Sequence, residues 1–329
     1  MQTTTSRSVV RHRKLGNTGY DVSTIGFGTW QIGGGRWAAP DFDERVELLR
    51  SSLELGVNIY DAAVVYGQYT SDEGRIDSRS QELLGAAFED RRDRVIYCIK
   101  IGQFDEYTHR SLYEPARLVE QFRQSLRRLR TDFVDICLIH APTLHDVQQG
   151  KALAVVQTLQ ALGMVRAVGY SFEAEPEHVM TALEQRVDVL MLQYNLLDSQ
   201  CGPALAEAAR RGVGVLVGGP FKRGYISGRF RSADDLPLDD DYWAWNMAKN
   251  PAKVQALLDR SAQLQREYGS PAALRKAALD FIFEQPAAAS AIVGHRELDE
   301  VVENLRAVAT DSGPSELPSA GVVELGVSA

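Results

Sequence analysis

Cysteine is scarce in this chain of 329 residues: Cys98, Cys137 and Cys201 lie far apart, and none belongs to a C-x-x-C pair. An odd, widely spaced set excludes a disulfide framework and leaves buried, reduced thiols. Long apolar runs are missing as well. No stretch of ~18 apolar residues is present, so no helix of this sequence is built to span a membrane. Basic charge is short: 36 Lys plus Arg against 44 Asp plus Glu give a net charge of −8. That balance lacks the cationic surplus with which a nucleic-acid binder neutralises phosphates, so neither DNA nor RNA is expected as a partner. Residues 1–13 are polar and carry no apolar core of a secretory signal, which predicts a cytoplasmic protein. His109, His145, His178 and His295 show neither H-x-H nor H-E-x-x-H spacing, so no catalytic metal is expected.

What is present is an ordinary globular composition, 44% hydrophobic and 24% charged, which excludes a disordered chain. Short β-branched runs at 22–27, 57–61, 95–100, 134–140, 167–171, 189–193, 214–218 and 291–293 read as strands. Between them apolar residues recur three and four apart. Leu118, Phe122, Leu126 and Leu129 form one helical stripe, and Leu153, Val156, Leu159 and Leu162 another. Gly163 and Gly212 stand where a helix ends ahead of the next strand. Eight strands, each followed by a helix, make an α/β chain that predicts a (β/α)₈ TIM barrel in a single domain over 1–329. The rival is an open doubly wound sheet, which requires G-x-G-x-x-G after the first strand. The sequence there is Gly26-Phe27-Gly28-Thr29-Trp30, which lacks that fingerprint. Residues 230–250 read as a loop over the strand-seven end, 251–268 as an additional helix, and the tail after about 310 as loosely held.

Alternate residues of a barrel strand point inward, and active sites lie at the C-terminal strand ends. Ile59 and Asp61 share one face, as do Cys98 and Lys100, and Leu138 and His140. Each apolar inner face therefore ends in a polar residue at the same end of the barrel, a convergence that apolar packing does not require. Five residues beyond Asp61 stands Tyr66. Asp-x₄-Tyr, a lysine ending strand three and a histidine ending strand four resemble the aldo-keto reductase superfamily. The resemblance extends through Arg13-Lys14-Leu15-Gly16, Gly169-Tyr170-Ser171, Gln193-Tyr194-Asn195, Pro220 to Gly224, and Val293-Gly294-His295-Arg296 with Glu303-Asn304.

The resemblance implies a nicotinamide-dependent oxidoreductase acting on a small carbonyl or alcohol substrate. Tyr66 would be the acid or base, but a free phenol with pKa about 10 gives up its proton reluctantly. A cationic Lys100 beside it favours the phenolate, Asp61 keeps Lys100 charged, and His140 orients the substrate oxygen. Ser171 and Gln193 would hold the nicotinamide carboxamide, although Phe172 stands where the family's usual asparagine would be. At Gly218 the family often has an aromatic that stacks on the nicotinamide, which leaves Phe221 as a substitute. Gly219, Pro220, Phe221, Lys222, Arg223 and Gly224 would wrap the pyrophosphate. Gly294 would add backbone amides, while Glu303 and Asn304 would meet the adenine. Arg296 would face a 2′-phosphate and favour NADP(H); Glu300, where many relatives have an arginine, repels that phosphate and favours NAD(H). Trp30 and Trp243 are candidates for the substrate pocket. Two alternatives stay open. One is an NAD-dependent aldose or aldehyde dehydrogenase, because Gly218-Gly219-Pro220-Phe221 is similar to such members. The other is a non-catalytic, cofactor-sensing module. The cluster Arg123, Arg127, Arg128 and Arg130 reads as a solvated helix face.

Overall fold

The computed structural model describes residues 10–309 apart from 73 and 104–112. His109 and the tail after about 310 thus lie outside the described residues. The chain starts with a small antiparallel pair, β1 (His12–Lys14) and β2 (Asp21–Ser23), and enters a closed barrel at β3 (Ile25–Gly28) and β4 (Ile59–Ala63). A second hairpin, β5 (Gln68–Thr70) and β6 (Ile76–Ser78), leaves the barrel before β7 (Ile96–Ile101) and β8 (Val134–His140). The barrel continues through β9 (Val165–Ser171), β10 (Val189–Gln193), β11 (Gly214–Gly218) and β12 (Ala288–Gly294), and β12 closes on β3 with all pairs parallel.

Around it run α1 (Phe42–Glu54), α2 (Arg79–Phe88), α3 (Pro115–Leu129), α4 (Leu144–Gln149), α5 (Lys151–Ala161) and α6 (Pro176–Leu183). They are followed by α7 (Gly202–Arg211), α8 (Asp241–Lys249), α9 (Pro251–Tyr268), α10 (Pro271–Phe283) and α11 (Leu298–Val308). Among the described residues, no helix is long and apolar enough to cross a membrane.

Strand parity sorts the core into two layers. Ile59, Cys98, Leu138, Met191, Leu216 and Ile292 fill the barrel interior, while Tyr60, Ile99 and Ile139 on the opposite parity pack against the helices. Burying an aliphatic side chain is worth roughly 1.5–3 kcal/mol. A one-residue slip would exchange the two layers and turn the inner residues outward. That penalty fixes which face Asp61, Lys100 and His140 must occupy.

The structure departs from the sequence reading in four places. The run 22–27 is two strands, because Thr24 turns its backbone N–H and hydroxyl to the Arg11 carbonyl and separates β2 from β3. The 68–78 hairpin has no apolar alternation and is invisible to periodicity. The 230–250 segment is not all loop: α8 forms there, with the Asp240 carbonyl accepting from Trp243 and Ala244 and with Tyr242 and Trp243 buried in a cluster of their own. Arg128, finally, is 5% exposed rather than solvated. Its guanidinium lies 2.8 Å from Asp77 Oδ1 and 2.9 Å from Gln81 Oε1, which ties α3 to the hairpin and to α2.

Candidate active site

Asp61 and Lys100 end their inward faces on β4 and β7 and are 3% and 2% exposed. The Lys100 ammonium donates to both Asp61 oxygens, at 2.7 and 2.6 Å, and approaches Met191 Sδ at 3.5 Å. Burial works against the lysine's charge, but Asp61 and then Tyr66 outweigh it, and its pKa is held above the ordinary value. Burial holds the Asp61 carboxyl above its ordinary pKa, and the Lys100 ammonium offsets only part of that rise. The bidentate contact makes this an ionised pair. Lys100 Nζ lies 4.9 Å from the centroid of the Tyr66 ring, and His140 stands edge-on to that ring at 5.8 Å and 87°. His140 and Ser171 are neighbours in register at the ends of β8 and β9.

The loop that carries Tyr66 is pinned on both sides. Its carbonyl accepts from the Ser78 hydroxyl at 3.1 Å and from the Ser80 amide at 3.3 Å. Gly67 adopts φ 62°, and a Cβ there would lie 2.0 Å from the Gly33 carbonyl, so only glycine allows the two loops to touch. After His140, Ala141 takes a left-handed φ of 50° and donates to the Ser171 carbonyl at 2.9 Å. Such strain persists only where the surroundings impose it.

A cavity of about 1000 Å³ opens over this group. Every site residue named from the sequence lines it except Lys222, including Trp30, Trp243, Gln193 and Asn304. Lys222 turns away to an ion pair with Asp198. Arg296 reaches Asp240, a wholly buried carboxylate, at 2.5 Å. Glu303 takes Arg275 at 2.9 Å, and Gln193 donates to Glu173. Asn304 donates through Nδ2 to His295 Nε2 at 3.1 Å. His295 is buried, and that burial together with Arg229 pushes its pKa down to about 3. Phe221 is buried in the outer core. Trp30 sits beside Trp37 and Tyr66, at centroid distances of 5.0 and 6.1 Å.

The model of the aldo/keto reductase family matches residues 24–317 of this sequence. The chain belongs to that family. It is similar to the aldo-keto reductase YhdN of Bacillus subtilis, 27% identical over 301 residues covering 88% of this chain and 86% of that protein. It is also similar to the NADH-specific methylglyoxal reductase of Escherichia coli, 26% identical over 313 residues and covering 89% and 92%. Among solved structures, the holo form of an aldo-keto reductase from Bacillus halodurans matches with a TM-score of 0.72 and 26% identity over 92% of each chain.

Aldo/keto reductases generally use a nicotinamide dinucleotide, and the cavity fits one in two respects. Its volume suits a ligand of that size. At the end of β12 the Gln31 side chain packs onto Gly294, where a Cβ would lie 1.4 Å from Gln31 Oε1. Two cavity-lining residues also carry buried polar atoms with no hydrogen-bond partner, Trp37 Nε1 and Asn304 Oδ1.

Sequence reasoning missed several residues of this aldo/keto reductase. Cys98 is the register partner of Asp61 across β4 and β7 and stands two residues before Lys100 on the same inward face. Met191 lies beside Lys100, and its Cγ is the nearest atom, at 3.7 Å, to a Cβ built on Gly218. Its place was legible, since it shares the inward parity of β10. Asp240 and Glu173 carried no signal, because loop carboxylates look alike until the fold places them.

Proposed function

We propose that this protein is an NAD(P)(H)-dependent carbonyl reductase that converts an aldehyde, ketone or keto-sugar into the alcohol. The observation that carries the reading is the buried Lys100–Asp61 ion pair beside the Tyr66 ring, with His140 edge-on to it, inside one large cavity. When bound, the reduced nicotinamide supplies the hydride that the carbonyl carbon takes up. Tyr66 donates its hydroxyl proton to the carbonyl oxygen, and Lys100 stabilises the negative charge left on the phenol oxygen. Asp61 holds the ammonium in place and keeps it charged. His140 hydrogen-bonds the substrate oxygen and orients it. Ser171 and Gln193 meet the carboxamide, and Gly219 to Gly224 with Gly294 line the path of the diphosphate. Trp30 and Trp243 form the apolar wall toward the substrate. The likeness to a methylglyoxal reductase supports small aldehydes as substrates.

The test is a carbonyl panel offered to the purified protein with NADH and with NADPH, read as loss of nucleotide absorbance, with the alcohols offered alongside oxidised nucleotide. Substrate-dependent reduction faster than the reverse oxidation supports a reductase. Strong NAD⁺-linked oxidation of aldoses or aldehydes with feeble reduction would assign the dehydrogenase instead. Tight nucleotide binding with no turnover on any carbonyl would make this a cofactor-sensing module.

A further inference from the structure

The far side of the cavity, around the start of α11, presents three arginines. Each is already held by a carboxylate of the chain: Arg229 by Glu300 at 2.5 Å, Arg296 by Asp240 at 2.5 Å and Arg275 by Glu303 at 2.9 Å. Glu297 lines the same stretch and adds a further negative charge. The backbone is engaged as well. Arg296 N–H, one residue ahead of the Glu297 N-cap of α11, donates to Glu300 Oε2 at 2.7 Å. Glu300 thus takes both a guanidinium and a backbone donor, and it is only 12% exposed. Asp240 is fully buried, and its other oxygen accepts from the Ala38 amide at 2.5 Å, so it is a fixed part of this wall.

We infer that Glu300 and Asp240 select the dinucleotide by pre-empting the groups a 2′-phosphate needs, so that the cavity takes NAD(H) in preference to NADP(H). The inference rests on the reading of this cavity as a nicotinamide dinucleotide site. A ribose 2′-phosphate brings close to two negative charges and several acceptor oxygens, and needs free donors and cations to replace its water. Here it meets guanidiniums that are already neutralised and a carboxylate on the helix entrance. To be accepted it must break an ion pair and leave the displaced carboxylate beside it. A ribose 2′-hydroxyl carries no charge and can donate a hydrogen bond to a carboxylate such as Glu300. Arg296, which by its position invites a 2′-phosphate, is drawn across the cavity wall to Asp240 and lies over the Trp37 ring at 5.3 Å.

The experiment is a set of fluorescence titrations of the purified protein with NADH and with NADPH, without substrate, at low and at 0.5 M salt. Wild type should bind NADH at least tenfold more tightly than NADPH. Glu300→Gln keeps an acceptor for the Arg296 amide but removes the charge and releases Arg229. It should lower the ratio of the NADPH to the NADH dissociation constant at least tenfold, and added salt should erode that gain. Asp240→Asn should move the ratio the same way; should it fail to fold, Glu300→Gln alone decides. Equal or tighter NADPH binding by wild type would overturn the inference, as would a ratio unmoved in Glu300→Gln. Binding of neither nucleotide would overturn the reading of the cavity itself together with the inference.

Discussion

At the Tyr66 end of the cavity one cation, Lys100, is paired with one carboxylate, and the two side chains are 3% and 5% exposed. At the Arg296 end three arginines meet three carboxylates, and in two of the three pairs one partner is solvated: Arg229 is 53% and Glu303 48% exposed. The first pair sits on barrel strands, where a register shift would cost the whole inner layer. The second set comes from separate loops and helices. The contrast teaches that the ion pair proposed for the chemistry is carried by the scaffold, whereas the groups proposed to choose the nucleotide are carried by the loops and helix ends. A buried pair broken on one side costs about 3–5 kcal/mol, while an exposed pair is worth about 0–1 kcal/mol.

That difference can be broken or sharpened by substitution. The largest effect on stability is expected from Asp61→Asn, which leaves the Lys100 charge buried and unpaired. Its unfolding free energy in urea should fall by about 3–5 kcal/mol, and the double variant Asp61→Asn with Lys100→Met should lose less than the sum of the two single changes. A loss within about 1 kcal/mol would place this pair with the rim arginines instead.

His295 gives an intermediate effect with a defined sign. Its folded pKa is depressed to about 3, against about 6.5 in an unfolded chain. Between those values the unfolded state binds the extra proton, so stability falls as pH falls, by up to about 1.4 kcal/mol per unit. His295→Gln should flatten that part of the stability profile between pH 6.5 and 5; superimposable profiles would show that the imidazole is not held neutral. The smallest effect belongs to the rim. Glu303→Gln should change stability by less than about 1 kcal/mol, and its signature would be a shift in nucleotide affinity that fades with salt.

Much of this was legible before any fold was described. Strand parity alone placed Asp61, Lys100 and His140 at one end of one face, because a two-residue period leaves no other arrangement once Ile59, Cys98 and Leu138 are buried. The spacing to Tyr66 needed the family resemblance, since the loop that carries it has no periodicity. The nucleotide end was legible only as a list of residue types. Arg296 read as a phosphate ligand because nothing in the sequence connects it with Asp240, 56 residues earlier in the chain. Lys222 read as a diphosphate ligand for the same reason, and Asp198 claims it. Long-range ion pairs between loops have no pattern in sequence, and they decide where these side chains go.

The measurement that tests the account most directly is turnover of Tyr66→Phe, set beside a nucleotide titration of the same variant. If Tyr66 is the proton donor at the end of a scaffold-borne ion pair, kcat falls by roughly 10²–10⁴-fold while the nucleotide still titrates. Turnover within a few-fold of wild type, with the nucleotide bound, would contradict the assignment and separate the Lys100–Asp61 pair from the chemistry.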